Sequence, residues 1–275
     1  MYYGAYFEID SPLHRITPSA KLIVAGAIML AVTLIFDPVT PAMLVALALV
    51  LLVGVGRVPP RTIAQALWPA LVGALGFFWV AVAFPRTDDV VTVVARWGPL
   101  TITSEALWRG ASIALRVLCF GVYSMLFVLT TRPTDFVLAL VQHWRVPTGI
   151  AYAALAAYRF VPLFAAEAES IRLAHRIRGV GEGRGLSGKV EAARRFAIPL
   201  LASAIRRAER VAIAMESKGF DGHSPRTYFH AMRWRPADLA FLAIMAAAFA
   251  AVFVLSFQLG YLRLWDGTTF QVRGG

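Results

Sequence analysis

A charged block from Ala166 to Pro236 interrupts a chain that is otherwise a succession of apolar runs, and this contrast limits the fold more than any other feature. Before the block come Leu22 to Phe36, Ala42 to Val55, Ala64 to Phe84 and Ala106 to Thr130; after it comes Ala237 to Phe257. Charged residues make up 16% of the chain and hydrophobic ones 59%, against roughly 25% charged in a soluble domain. Such runs bury themselves in lipid, where only helices or closed barrels satisfy the backbone. The expectation is an all-α, polytopic helical membrane protein with about five transmembrane helices. Three regions follow: 1–131 with about four spans, 132–236 cytoplasmic or interfacial, and 237–275 with a last span and tail.

The net charge of +11 could point to nucleic acid, but its placement argues otherwise. The basic residues stand between and beside apolar spans, as loops obeying the positive-inside rule require, so no nucleic-acid partner is expected. Cys119, the single cysteine, lies in an apolar run and offers neither a disulfide nor a cysteine metal site. Met1 to Asp10 lack a basic segment before an apolar core, so no cleaved signal peptide is expected.

In chain order, Ser11-Pro12-Leu13-His14-Arg15-Ile16-Thr17-Pro18 is a polar, proline-bounded lead to the first run, with Lys21 at its lip. Asp37-Pro38-Val39-Thr40-Pro41 predicts a tight turn, because prolines inside a helix break it. The first two runs each fall short of the ~20 residues that cross a bilayer straight, and read as a helical hairpin with extended flanks. Arg57, Pro59, Pro60 and Arg61 close it. The third run carries Trp68 and Trp79 near its ends, where indoles favour the interface. The polar loop from Pro85 to Glu105 contains Val90 to Val94, which favour a short extended piece. Arg116 lies within the fourth run and must face the protein interior or the interface, packed on a carbonyl or carboxylate or serving transport. Phe136 to Trp144 is amphipathic and too short to span.

Charge arithmetic then bears on Gly149 to Ala165, which by length could just cross. The 166–236 block holds fourteen Lys/Arg and seven Asp/Glu, so it belongs on the cytoplasmic side. With Arg15 and Lys21 also inside, four spans return the chain inside at Arg132. A span at 149–165 would put the basic block outside. The segment therefore reads as the start of a long helix along the inner interface, which Arg159 and Pro162 favour. Within the block, Phe196, Leu200, Ala204, Ala208, Val211 and Met215 recur at helical spacing, while Arg195, Ser203, Arg206, Arg210 and Ser217 take another face. Pro199 should bend this helix.

The chemical motifs are few. Gly183 to Lys189 has P-loop spacing, but Val190 replaces the hydroxyl that would hold Mg²⁺ and the preceding segment reads as helix. It is expected to be a flexible link, and no cofactor is expected. The five histidines lack metal-site spacing, and no catalytic triad or paired carboxylates stand out. Glu167 and Glu169, two apart, face different ways. What remains are two basic, glycine-terminated helix ends, Arg178-Gly179 and Lys218-Gly219. Each suits an ordinary C-terminus, with a cation at the negative end of the dipole and glycine in the left-handed position. Each could also insert into an acidic groove of a partner.

Taken with Asp10 to Arg15, Pro18, Lys21, Thr130 to Pro133, Tyr158 to Leu163, Arg206-Arg207-Ala208-Glu209-Arg210 and Glu216 to Phe220, these ends make the chain resemble the transmembrane T component of energy-coupling factor (ECF) transporters, the family of EcfT, CbiQ and BioN. The resemblance covers nearly the whole chain. It implies long crossed cytoplasmic coupling helices whose short motifs, commonly Ala-Arg-Gly, engage two ABC-type ATPase subunits. The motifs fall on Ile177-Arg178-Gly179 and Ser217-Lys218-Gly219, both without the usual alanine. Lysine at 218 keeps the charge but cannot make a bidentate fork. Arg206, Arg207, Glu209, Arg210 and Glu216 would support the helices, and Tyr158, Arg159, Pro162, Phe196 and Leu200 would face a membrane-embedded substrate-binding S component or the interface. The implied role is a non-catalytic subunit in a bacterial or archaeal cell membrane that passes ATP-driven movement to the S component for vitamin or transition-metal uptake. The rivals are a secondary transporter, which calls for inverted repeats, and a membrane-embedded enzyme, which calls for clustered acidic or histidine residues.

Overall fold

A computed structural model of the chain describes residues 11–84, 93–97, 100–179, 185–220, 228 and 230–260. The elements are α1 (Pro18–Thr33), α2 (Val39–Val50), α3 (Pro60–Ala83), the strands β1 (Val93–Trp97) and β2 (Leu100–Thr103), α4 (Ser104–Thr130), α5 (Pro133–Trp144), α6 (Thr148–Ile177), α7 (Gly185–Ser217) and α8 (Pro236–Gln258). A 3₁₀ turn at Pro12–Arg15 precedes α1, and α2 runs on into a π-helical turn at Leu51–Val55. The all-α reading holds, with one small addition. β1 and β2 pair antiparallel, Val93 opposite Thr103 and Trp97 opposite Leu100. Of the extended piece expected at Val90 to Val94, Val93 and Val94 belong to β1, and Val90 to Thr92 lie outside the described residues.

Four helices, α3, α4, α6 and α8, are long and apolar enough to cross a membrane, and α1 and the α2 run are shorter apolar helices. The chain divides into two compact units, one holding the described residues of 5–136 and 233–275, the other those of 137–232, with the boundary inside α5.

In the first unit α4 packs against α1, α2 and α3, while α8 packs against α1 and α2. The core includes Val24, Ile28, Val32, Leu44, Leu52, Val122 and Leu126. Close approach of α3 to α4 needs glycine at 121, where a Cβ would stand only 2.6 Å from the Ala70 Cβ. Small residues at a helix contact are how apolar helices gain dispersion energy when lipid supplies no hydrophobic drive. Arg116 has the carbonyl partner that the sequence allowed for: Nη2 donates to the Ile35 carbonyl and the guanidinium carbon stands 5.0 Å over the Phe36 ring.

Polar clusters secure both ends of this bundle. At one end the turn expected over Asp37 to Pro41 is confined to Asp37-Pro38, because α2 starts at Val39 and tolerates Pro41 in its first turn; Asp37 accepts from the Thr40 N–H at 2.6 Å and from the Thr40 hydroxyl at 2.8 Å. Thr40 Oγ1 also lies 2.6 Å from Ser256 Oγ on α8, and Ser112 on α4 donates to the Asp37 carbonyl at 3.1 Å. At the other end Lys21 is not at a lip but buried, 1% exposed. Its Nζ donates to the Thr130 carbonyl at 2.7 Å, closing the C-terminus of α4. Asp238, 0% exposed, accepts from the Thr17 N–H and from the Arg235 N–H, each at 2.8 Å. Leu13 Cδ2 lies 3.4 Å from where a Cβ on Gly56 would stand, which brings the Arg57 turn to the same end. Arg15, Arg57, Arg61, Arg132 and Arg235 thus gather at one end of the bundle, because α1 and α8 start there and α2 and α4 finish there.

Candidate coupling site

The second unit is built on α6 and α7, which pack against each other. The expectation of a single helix starting near Gly149 is met: α6 runs unbroken for 30 residues from Thr148, with Pro162 inside it. α7 is 33 residues long and includes Pro199. The glycine-rich stretch is a correction. Gly185 to Lys189 belong to the first turns of α7 rather than to a flexible link, and Gly183 and Arg184 lie outside the described residues. Gly185 stands at the start of α7 with φ 79°, a backbone position open to glycine, and the carbonyls of the first turn accept from the turn that follows.

Both basic ends are helix C-termini of the expected kind. In α6 the Arg178 N–H donates to the Ala174 carbonyl at 3.2 Å and the Gly179 N–H to the Arg176 carbonyl at 3.1 Å, with Gly179 at φ 69°. In α7 the Gly219 N–H donates to the Glu216 carbonyl at 2.8 Å and the Phe220 N–H to the Met215 carbonyl at 2.9 Å, with Gly219 at φ 76°. That pair of bonds is a Schellman motif, which requires a left-handed residue and so favours glycine. The second end is also braced from the side, because the Phe220 ring meets Tyr152 near the start of α6 edge-on at 5.8 Å between centroids. Arg178 and Lys218 are exposed, and Ile177 is 88% exposed. Ser217 spends its hydroxyl on the Ala214 carbonyl at 3.0 Å. The two ends therefore present different neighbours to a partner, an apolar one beside the guanidinium and a self-satisfied hydroxyl beside the ammonium.

Between the ends, the helices meet through one side of each. Phe196, Leu200, Ala204, Val211 and Met215 are half-buried as the periodicity predicted, whereas Ala208 is exposed. Arg195, Arg206, Glu209, Arg210, Glu216 and Ser217 are exposed, and Ser203 is half-buried. Arg207 turns inward. Its Nη2 lies 3.6 Å from Glu167 Oε2, and its guanidinium carbon stands 5.7 Å from the Phe160 ring centroid and 6.0 Å from that of Phe164. Glu169 instead pairs with Arg172 at 2.6 Å on the open side of α6, so the two glutamates do face different ways. Sequence reasoning passed over Phe160, Phe164 and Glu167 as partners of Arg207; their spacing of four and three residues placed them on one helix face. Tyr158, Arg159 and Pro162 are exposed on α6. Among the described residues no group of three His, Cys, Asp or Glu could hold a metal. His143 Nε2 lies 2.9 Å from the Met232 carbonyl and His14 Nδ1 lies 2.6 Å from Ser11 Oγ, so these two side chains have structural neighbours.

A family model described as cobalt transport protein, CbiQ, matches residues 10–229. The chain belongs to this family. Its relatives include the energy-coupling factor transporter transmembrane protein EcfT of Listeria innocua, 32% identical over 93% of this chain and 98% of the relative. EcfT of Thermotoga maritima is 30% identical over 90% of this chain and 92% of the relative. EcfT of Thermosediminibacter oceani is 31% identical over 90% and 94%. The chain is a membrane T component of an ECF transporter.

Proposed function

We propose that this T component carries the movement of two ABC-type ATPase subunits to a substrate-binding S component, with α6 and α7 as the coupling helices. One observation carries the reading: two long helices that pack together each end in an exposed cation, Arg178 or Lys218, held out by a left-handed glycine. A cation fixed at a helix terminus fits an acidic groove on a partner as a charge-assisted pair. Arg178 offers a planar fork for a carboxylate, and Lys218 a point charge. The exposed apolar residues of both helices, among them Tyr158, Val161, Leu201 and Ile205, form a surface for a membrane-embedded S component. Vitamins or transition-metal ions are the substrate classes of this reading, and the S component selects among them. ATP is hydrolysed by the partners, and no bond is made or broken by this chain.

The regions 1–131, 132–236 and 237–275 then act as membrane anchor, coupling block and closing span. The arginines gathered at one end of the bundle support a cytoplasmic position for that end in a bacterial or archaeal cell membrane, by the positive-inside rule. The basic 166–236 block takes the same side on the same rule, which leaves α6 along the inner interface although its length would let it cross. A cysteine placed at Ser187, which is exposed, is expected to stay unlabelled by a membrane-impermeant maleimide in intact cells and to react once the cells are opened. Labelling in intact cells would overturn this topology. The coupling role itself is tested by purification: tagged protein extracted in mild detergent should bring down two ATPase chains per copy. Recovery of the chain without any ATPase, from cells making all components, would sink the reading.

A further inference from the structure

We propose that Arg207 is the positioning residue where α6 and α7 pack together, a guanidinium held between two aromatic stations so that one helix can shift along the other without parting from it. The proposal rests on the coupling reading above. Phe160 and Phe164 are four residues apart, which separates their rings by about 6 Å along the axis of α6. The Arg207 guanidinium carbon is 5.7 Å from one centroid and 6.0 Å from the other, and both distances fall within the reach of about 6 Å over which a ring face attracts a cation. The cation is therefore shared between two rings rather than seated on one.

The ionic part of the contact is equally loose. Arg207 Nη2 to Glu167 Oε2 is 3.6 Å, longer than a charge-assisted hydrogen bond, and both Arg207 Nε and Glu167 Oε2 are buried without a hydrogen-bond partner. Each side chain is only about a third exposed, at 30% and 28%. A shift of α7 toward the C-terminus of α6 would close this pair into a directional bond, with Phe164 still alongside. A shift the other way would give up Glu167 and keep Phe160. Attraction that depends on a ring face and an unspent charge varies gently with such movement, whereas a fully formed hydrogen-bond network would resist it. Arg206 and Arg210, the neighbouring arginines, are exposed and have no such stations. Lysine at 207 would keep the charge but lose the planar stacking.

The test compares transport with ATP turnover in the complete complex, this chain with its ATPases and S component, reconstituted in lipid vesicles. Arg207→Met is expected to assemble and hydrolyse ATP near the normal rate while substrate imported per ATP falls about tenfold, within the usual range of coupling between sites. Arg207→Lys is expected to recover part of that loss. Phe164→Leu, which keeps an apolar side chain and removes one station, is expected to lower the same ratio and covers the case in which Arg207→Met assembles poorly. An unchanged ratio in Phe164→Leu, or in assembled Arg207→Met, would overturn the proposal and leave Arg207 a packing residue. Arg178→Glu measured beside them separates the two ideas. If it imports normally, the coupling reading fails; if it is inactive while the Arg207 and Phe164 variants import normally, only the Arg207 proposal fails.

Discussion

Arg178→Glu is expected to leave the chain folded in the membrane and to abolish ATP-dependent uptake. The side chain is exposed, so nothing in the fold depends on its charge. Locally the change places an anion at the negative end of the α6 dipole, worth about 0.3–1 kcal/mol at an exposed site. That is too little to unfold a 30-residue helix. The functional cost is of another size. Truncating one partner of a buried, hydrogen-bonded charge pair costs roughly 2–5 kcal/mol, and reversal adds repulsion from the acidic groove proposed to receive it. Each 1.4 kcal/mol is about tenfold in affinity, so ATPase association should fall by more than an order of magnitude. The measurement is uptake of labelled substrate together with the amount of ATPase recovered on the tagged chain. Normal uptake at normal ATPase association would remove Arg178 from the coupling site. Lys218→Glu should act in the same direction, with a smaller loss expected because a point charge gives up no bidentate geometry.

The second large effect belongs to the membrane bundle. Asp238→Ala should lower thermal stability sharply, because Asp238 is fully buried and its two carboxylate oxygens satisfy the Thr17 and Arg235 N–H groups. Hydrogen bonds to a charged group contribute about 1.5–3 kcal/mol each, and the Thr17 N–H left behind would be buried without its partner. A combined loss of about 3 kcal/mol or more is expected. Asp238→Asn keeps one acceptor and should lie between the two. Unfolding in detergent, followed by tryptophan fluorescence on heating, gives the midpoints, and equal midpoints for wild type and Asp238→Ala would show that the cluster is not what holds α1 to α8. Lys21 belongs to the same end, where its Nζ satisfies a carbonyl at the last turn of α4. An unsatisfied carbonyl in an apolar surrounding is costly, which explains why a lysine is tolerated in the core.

Much of the architecture was legible before any coordinates. Apolar runs separated by proline and arginine gave the order of helices, but the turn expected over Asp37 to Pro41 is shorter than read, because α2 already begins at Val39 and takes Pro41 into its first turn, where proline is tolerated. The glycine-terminated ends of α6 and α7 were legible for the same local reason, since a left-handed backbone position favours glycine. Charge placement was enough to join 149–165 to the following basic segment as one helix. The start of α7 was misjudged because Gly183, Gly185 and Gly188 weaken a helix in isolation, whereas α7 takes in both Gly185 and Gly188.

What composition and spacing could not decide were pairings between side chains far apart in the chain. Lys21 and Thr130 are 109 residues apart, Thr17 and Asp238 are 221 apart, and periodicity reports only which face a residue takes on its own helix. Arg207 shows the same limit. Its neighbours in sequence marked it as one of a run of basic residues, and only the packing of α7 on α6 turned it inward to Glu167 and the two phenyl rings. Local sequence determined the helices, their ends and the exposed cations, because those depend on backbone conformation within a turn or two. Tertiary packing decided which polar groups meet in the apolar interior, because each buried donor there has to find its acceptor on another helix.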